Sequence, residues 1–277
     1  MPELTEPQIR LAVFAGLFAL LAVLEYLAPR REPKPAKARR WITNWVIVAI
    51  DSFLLRLVFA SAAVGVAIWS EHRGLGLFNL LELPGWLAII LSFLVLDFAI
   101  WFAHLASHKI PLLWKVHRMH HSDIDMDVTT AIRFHPIEIL LSMLWKVVIV
   151  ITLGAPAEAV LLFEIILNGA AMFNHSNLKL PLAFDRILRL LVVTPDMHRV
   201  HHSVVKRETD SNYGFNLSVW DRLFATYTDQ PAAGHDGMTI GIAEWQDERP
   251  TGLWWTLSVP FLLQAIEKSR QKSPTGK

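Results

Sequence analysis

The chain has 277 residues, 53% hydrophobic and 18% charged, with a formal net charge of +1, twelve histidines and no cysteine. Soluble domains carry about a quarter charged residues, so this balance, with a mean hydropathy of +0.37, points to a membrane protein. The near-zero net charge leaves no electrostatic footprint for nucleic acid, and the lack of cysteine excludes disulfides, thiolate metal sites and cysteine nucleophiles.

In chain order, the first apolar stretch is LAVFAGLFALLAVLEYLAP at 11–29, long enough to cross a bilayer. The preceding MPELTEPQIR has no basic n-region and no small-residue cleavage site follows, so a retained helix is expected rather than a signal peptide. The run RREPKPAKARR comes next, with Arg30, Arg31, Lys34, Lys37, Arg39 and Arg40; basic residues beside a span mark the cytoplasmic side. A second span is predicted within 43–69 and carries Asp51 and Arg56, both costly inside a membrane. After the polar turn SEHRGLG, a third span covers roughly 84–103 and runs straight into His104. Two further apolar helices, IEILLSMLWKVVIVITL and AEAVLLFEIILNGAAMF, are separated by GAP at 154–156. They form either two crossings or a re-entrant hairpin, and both choices return the chain to the face it left. Nothing from 176 to about 250 is long enough to span, and GLWWTLSVPFLLQAI at 252–266 reads as interfacial, anchored by Trp254 and Trp255. The expected fold is all-α and integral to the membrane. It has three clear transmembrane helices, an apolar helical hairpin and a cytoplasmic histidine-rich helical cap.

Residues 117–121 read HRMHH and residues 198–202 read HRVHH. With HLASH (His104, His108) and FNHSN (His175), nine of the twelve histidines fall in patterned groups. On a helix, positions i, i+3 and i+4 share a side, so His104 and His108 stack one turn apart. The first, fourth and fifth residues of each pentad point the same way. An isolated histidine on an apolar face is usually a hydrogen-bonded core residue, but four such groups emerging at one membrane face ask for metal. One ion takes about four to six ligands, so nine imidazoles suit two neighbouring ions. All-nitrogen ligands fit zinc, copper, nickel or iron, and no H-E-x-x-H frame of a hydrolytic zinc site occurs.

HLASH, HRMHH, RFHP at 133–136, NHSN, TPDMHRVHHS and NYGFNLSVWDRLFATY together resemble the fatty acid hydroxylase superfamily, which includes the sterol desaturases and related lipid hydroxylases. The resemblance covers roughly 90–230. It implies an integral-membrane, non-haem di-iron enzyme that uses O2 and two electrons to hydroxylate or desaturate a lipid, with zinc as a possible substitute metal. The histidine boxes then map to His104 with His108, to His117, His120 and His121, and to His198, His201 and His202, with His175 as a further ligand. His135 in RFHP is a candidate tenth ligand; its place before Pro136 equally suits a helix cap or a supporting group. The expected organisation is an N-terminal transmembrane region with its basic linker at 1–90, a fatty acid hydroxylase-like catalytic domain at 91–230, and a tail with an interfacial helix at 231–277.

Metal-bound imidazoles usually donate their other N–H to a carboxylate or carbonyl. Asp97, two turns before His104, and Glu164, inside an apolar helix, are candidates for a paired functional role; Asn174 is a further candidate near the metals. Asp123, Asp125, Asp127 and Asp196 lie near the boxes, where plain solvation competes with a supporting role. His72 and His235 are expected at the solvated surface. Small residues at 60–65 and 169–171 suit close helix packing or a groove for a lipid entering sideways. No flavin, haem-attachment or cysteine-cluster motif occurs, so electrons are expected from an external donor such as a ferredoxin, cytochrome or reductase. Lys109, Lys115, Arg118, Arg199, Lys206 and Arg207 are candidates to receive it, or to line an anionic membrane surface. The competing readings are a histidine-rich metal transporter and a zinc-dependent membrane hydrolase. Transporter sites lie near the bilayer midplane, whereas these histidines stand just beyond the span ends.

Overall fold

The computed structural model describes residues 5–34, 36–59 and 62–262. Local sequence signals set the helix ends. α1 (Glu6–Leu27) begins at a Thr5–Gln8 capping box, and α2 (Lys37–Val58) starts within the basic linker. α3 (Ala62–His72) and the single turn α4 (Leu77–Leu80) follow, then α5 (Gly85–Lys109), the long helix that carries HLASH on its last turns. Pro111 cannot continue α5 but suits a first turn, so α6 (Pro111–His121) starts at once and ends on the first pentad. Asp127 caps a 3-10 turn at Val128–Ile132. α7 (Pro136–Leu153) ends at Gly154, whose φ of +65° suits glycine, and Pro156 opens α8 (Ala157–His175). α9 (Leu182–Leu188) and α10 (Pro195–His201) follow, the latter capped by the Thr194 hydroxyl and ending on the second pentad.

Among the described residues, five stretches, 6–27, 85–109, 136–153, 157–175 and the helices within 37–80, are long and apolar enough to cross a membrane. The second expected span is thus shared between α2 and α3, with residues 60–61 outside the described part. α1 packs on α8, α2 on α7, α3 on both α7 and α8, and α5 on both. A core of Val64, Leu96, Ile100, Val150, Val160 and Phe163 sits between α3, α5, α7 and α8. The large apolar residues left exposed, such as Phe53, Trp86, Leu141 and Leu144, face outward, as expected of a helix bundle in lipid.

The turn after α3 and the α7–α8 turn meet backbone to backbone. A Cβ on Gly76, at φ +97°, would lie 2.1 Å from the Gly154 nitrogen. Both turns therefore lie at one end of the bundle, and the histidine-bearing helix ends lie at the other. No strand forms among the described residues; backbone pairing is limited to isolated bridges such as Val192 with Leu217. The interfacial tail segment adopts helix at Leu253–Ser258 and a 3-10 turn at Val259–Phe261, and its residues 263–266 lie outside the described part.

Candidate metal centre

The C-terminal ends of α5, α6, α8 and α10 converge on one buried cluster, and the carbonyl ends of helices favour a cation. His104, His108, His117, His121 and His201 offer ring nitrogens that all lie within 4.8 Å of one another. His120, His175, His198 and His202 form a second such group. The groups adjoin: the His121 and His202 rings stack at 4.7 Å.

Each pentad feeds both groups. In HRMHH the first and fifth residues join the first group and the fourth joins the second; in HRVHH the assignment is reversed. The repeated spelling thus builds a pair of sites with local twofold character, in which α6 and α10 exchange roles. The histidines of a pentad share a helix side, as the spacing predicts, but they split between two centres.

Hydrogen bonds on the outer nitrogens set the tautomers. The Nδ1 of His104 donates to the Tyr213 carbonyl at 2.8 Å, that of His120 to the Arg133 carbonyl at 3.1 Å, that of His175 to the Ala171 carbonyl at 2.7 Å, and that of His201 to the Ser211 carbonyl at 2.6 Å. His117 Nδ1 donates to Glu138 Oε1 at 2.6 Å. Each of these rings then presents a lone pair on Nε2. The Nε2 atoms of His104 and His117 nevertheless face one another at 3.1 Å, as do those of His120 and His175. Two lone pairs at that distance repel unless a cation lies between them. A proton is a poor candidate: burial first, and the neighbouring imidazoles next, push His120, His121, His198 and His202 well below the ordinary histidine value, and His201 to about 3. The buried nitrogens His108 Nε2, His201 Nε2 and both of His202 also lack any hydrogen-bond partner. Neutral rings, inward lone pairs and orphaned nitrogens fit a pair of transition-metal ions.

His135, the candidate tenth ligand, stands outside both groups. Its Nδ1 accepts from the Ile137 amide at 3.1 Å and so caps α7, while Nε2 donates to the Leu257 carbonyl at 3.2 Å. Both ring nitrogens are therefore spent on backbone. Asp97 does not reach the imidazoles; it accepts from Trp220 Nε1 at 2.8 Å and the Leu217 amide at 3.3 Å, tying α5 to the chain that covers the site. Glu164 is held by Lys146 at 2.6 Å and Arg10 at 2.7 Å inside the bundle. Asn174 donates to the Phe215 carbonyl at 3.0 Å, beside the second group.

The loop aspartates are buried rather than solvated. Arg40 donates to Asp123 at 2.8 Å and also pairs closely with Asp127, which in addition accepts from Trp41 Nε1 at 2.8 Å. Asp125 accepts from the Lys34 amide at 3.0 Å, so the basic linker is bound directly to the segment after the first pentad. Asp196 pairs with Arg199 and with Arg30. Arg118 and Arg199, expected on a docking face, are buried: Arg118 donates to the Val259 and Leu262 carbonyls at 2.6 and 2.7 Å. His235 is buried rather than solvated and lies 3.7 Å from Asp196, whereas His72 is exposed as expected.

Sequence reasoning did not single out four residues that touch the cluster. Glu138 supports His117; its position three residues after His135, in the first turn of a helix, was the available signal. Phe134 stacks on His120 at 4.4 Å with the planes 7° apart. Tyr213 and Phe215, both within NYGFN, lie 5.6 and 5.0 Å from His104. Asp221 fixes that loop by accepting from the Tyr213 and Gly214 amides, each at 2.8 Å.

A cavity of about 1160 Å³ lies between α1, α2, α5, α7 and α8, and it touches the first histidine group at His104 and His117. Its walls near the histidines include Phe134, Ile100 and Phe215. Asp51, Lys146, Glu164 and Arg10 line it farther along the bundle.

The family model described as fatty acid hydroxylase matches residues 89–226. Over 188 residues the chain is 32% identical to the ornithine lipid hydroxylase OlsE of Rhizobium tropici, covering 67% of this chain and 54% of that protein. It is 26% identical over 220 residues to alkylglycerol monooxygenase of Homo sapiens, covering 77% of this chain and 46% of that protein. It is 25% identical over 242 residues to a cholesterol 25-hydroxylase-like protein of Danio rerio, covering 80% and 93%. The chain thus spans about half the length of the first two relatives. No solved structure matches it.

Proposed function

The chain belongs to the fatty acid hydroxylase superfamily, and on that premise we propose that it is a membrane-bound, non-haem di-iron oxygenase that hydroxylates a lipid, using O2 and electrons from a separate donor. One observation carries the reading: the first of two adjoining groups of buried histidines lies, through His104 and His117, at the head of a largely apolar cavity within the membrane-type helices. The net change is RH + O2 + two electrons + two protons to ROH + H2O. The printed names of the relatives, hydroxylases and a monooxygenase, favour this outcome over desaturation.

His104, His108, His117, His121 and His201 would hold one ion and His120, His175, His198 and His202 the other. When bound, the two irons supply the activation of O2 for insertion into a C–H bond. The chain's own groups do the rest. Glu138 holds the proton at Nδ1 of His117, and the carbonyls of Tyr213, Arg133, Ala171 and Ser211 do the same for four other rings, which keeps the inward nitrogens free. Phe134 and Phe215 cover the head of the cavity against water, and its apolar walls receive an alkyl chain. Asp97 and Asn174 act indirectly, by positioning the segment that carries Phe215. In this reading residues 91–230 are the catalytic unit, and the tail beyond them closes over Arg118 and His135.

The basic residues Arg30, Arg31 and Lys34 contact the histidine cap, which supports an orientation with the cap at the cytoplasmic face. The exposed Lys109, Lys115, Lys206 and Arg207 then remain as contacts for an acidic electron donor. Lipid mass spectrometry of cells with and without the gene, beside a His120→Ala control, tests the reading. A product gaining one oxygen with the wild type alone, from protein holding two irons per chain, supports it. A product formed equally by the control sinks it, and stoichiometric zinc without lipid oxidation favours a hydrolase.

A further inference from the structure

The helices around the cavity are not joined equally. α1 packs closely on α8, where Leu17 lies 3.0 Å from the point a Cβ would occupy on Gly169. α8 and α5, α5 and α7, and α7 and α2 are likewise packed against one another. Between α1 and α2 the backbones scarcely approach, and aromatic rings fill the gap. Trp45 lies 4.9 Å from Phe18 and 6.3 Å from Phe14, and Phe18 lies 5.9 Å from Trp41.

On the inner side of this gap the cavity is lined by Phe14, Leu17, Trp45, Val48 and Ala49. On the outer side an apolar groove runs along α2 past Trp41, Ile42, Trp45, Ala49, Phe53 and Leu54. Trp45 and Ala49 line both, so the thickness of one side chain separates them. The outer residues are open: Trp45 is 39% exposed, Ile42 66% and Phe53 67%. Trp45 lies about 12 Å along the helix from Lys37 at 1.5 Å per residue, so the groove runs from just under the basic linker into one leaflet.

Resting on the lipid-oxygenase reading, we propose that the gap between α1 and α2 is the lateral entrance through which one alkyl chain of a bilayer lipid passes to the His104 and His117 end of the cavity. Trp45 is the side chain that swings, and Ala49 leaves the room. The occupant is an alkyl chain because the groove is apolar, lies on a helix long and apolar enough to cross a membrane, and is divided only by Trp45 and Ala49 from a cavity of about 1160 Å³. The other seams would need packed helices to part, whereas here one ring has to change rotamer.

The test uses the full chain in phosphatidylcholine vesicles containing hexadecylglycerol with a mid-chain diazirine. Photolysis without reductant is followed by mass-spectrometric mapping of adducts on the inner walls at Met143 and Leu167, both of which line the cavity. Ala49→Trp should lower the inner adducts by about tenfold, because the plug slows entry, and Ala49→Leu should lower them less. Trp45→Ala should label at least as strongly as the wild type. Metal content equal to the wild type marks folded variants. Inner adducts unchanged in both Ala49 variants, or missing from the wild type, overturn the entrance. Labelling needs no turnover, so protein that labels as expected but oxidises no lipid keeps the entrance and loses the oxygenase reading. Wild-type lipid oxidation by Ala49→Trp does the reverse.

Discussion

Glu138 and His135 stand one helical turn apart at the start of α7, yet they have different tasks. Glu138 orients His117, and removing such a supporting carboxylate typically costs about 10–100-fold in metal affinity or activity. Glu138→Gln should therefore weaken iron affinity or turnover by that factor with little change in thermal stability; wild-type iron titration together with wild-type turnover would refute it. His135 instead caps a helix. His135→Ala should cost about 1 kcal/mol of stability, and His135→Asn, which can still cap, should recover most of it. Both variants should keep the wild-type metal stoichiometry in elemental analysis, and loss of one ion would return His135 to the ligand set. Neither role is readable from RFHPIE, because capping and ligation ask for the same residue at the same spacing.

Among the helical elements, the histidine boxes work because short helices end where long ones do. Pro111 and Pro195 each open a helix that stops on a pentad, and α5 and α8 deliver His104, His108 and His175 from within the bundle. The segment after the first pentad is held by Arg40, whose guanidinium lies between the buried carboxylates of Asp123 and Asp127. Arg40→Ala would leave two buried negative charges unpaired, at a cost of about 3–5 kcal/mol. Thermal unfolding in detergent should show that loss together with weakened iron retention, and an unchanged melting curve would count against the tie. The run RREPKPAKARR reads in sequence as a membrane-flanking linker. Its second task, clamping the segment after the first pentad, depends on contacts across more than eighty residues, as between Arg40 and Asp123.

Across the whole molecule, buried neutral imidazoles make stability depend on pH. Unfolded histidines titrate near about 6.5, whereas burial holds His201 at about 3 and His235 at about 4. As pH falls below the unfolded value the unfolded chain takes up protons first, so the metal-free fold is most stable above it and weakens on acidification. For His235 that loss is complete near pH 4. The melting temperature of metal-free protein should stay level from about pH 8 to 7 and fall steadily from about pH 7 to 5, and His235→Gln should flatten part of the slope. A pH-independent melting temperature would contradict the buried neutral rings.

The sequence by itself determined the helical class, the apolar segments and the nine histidines, because those follow from hydropathy and from i, i+3, i+4 periodicity, both local properties. Only the tertiary structure decided how each pentad divides between two groups, that His135 caps rather than joins them, and that Glu138 does the supporting expected of Asp97 and Glu164. It also decided that α1 and α2 stand apart. Such facts arise from which helix ends meet in space, and residues distant in the chain carry no local mark of the partner they will face.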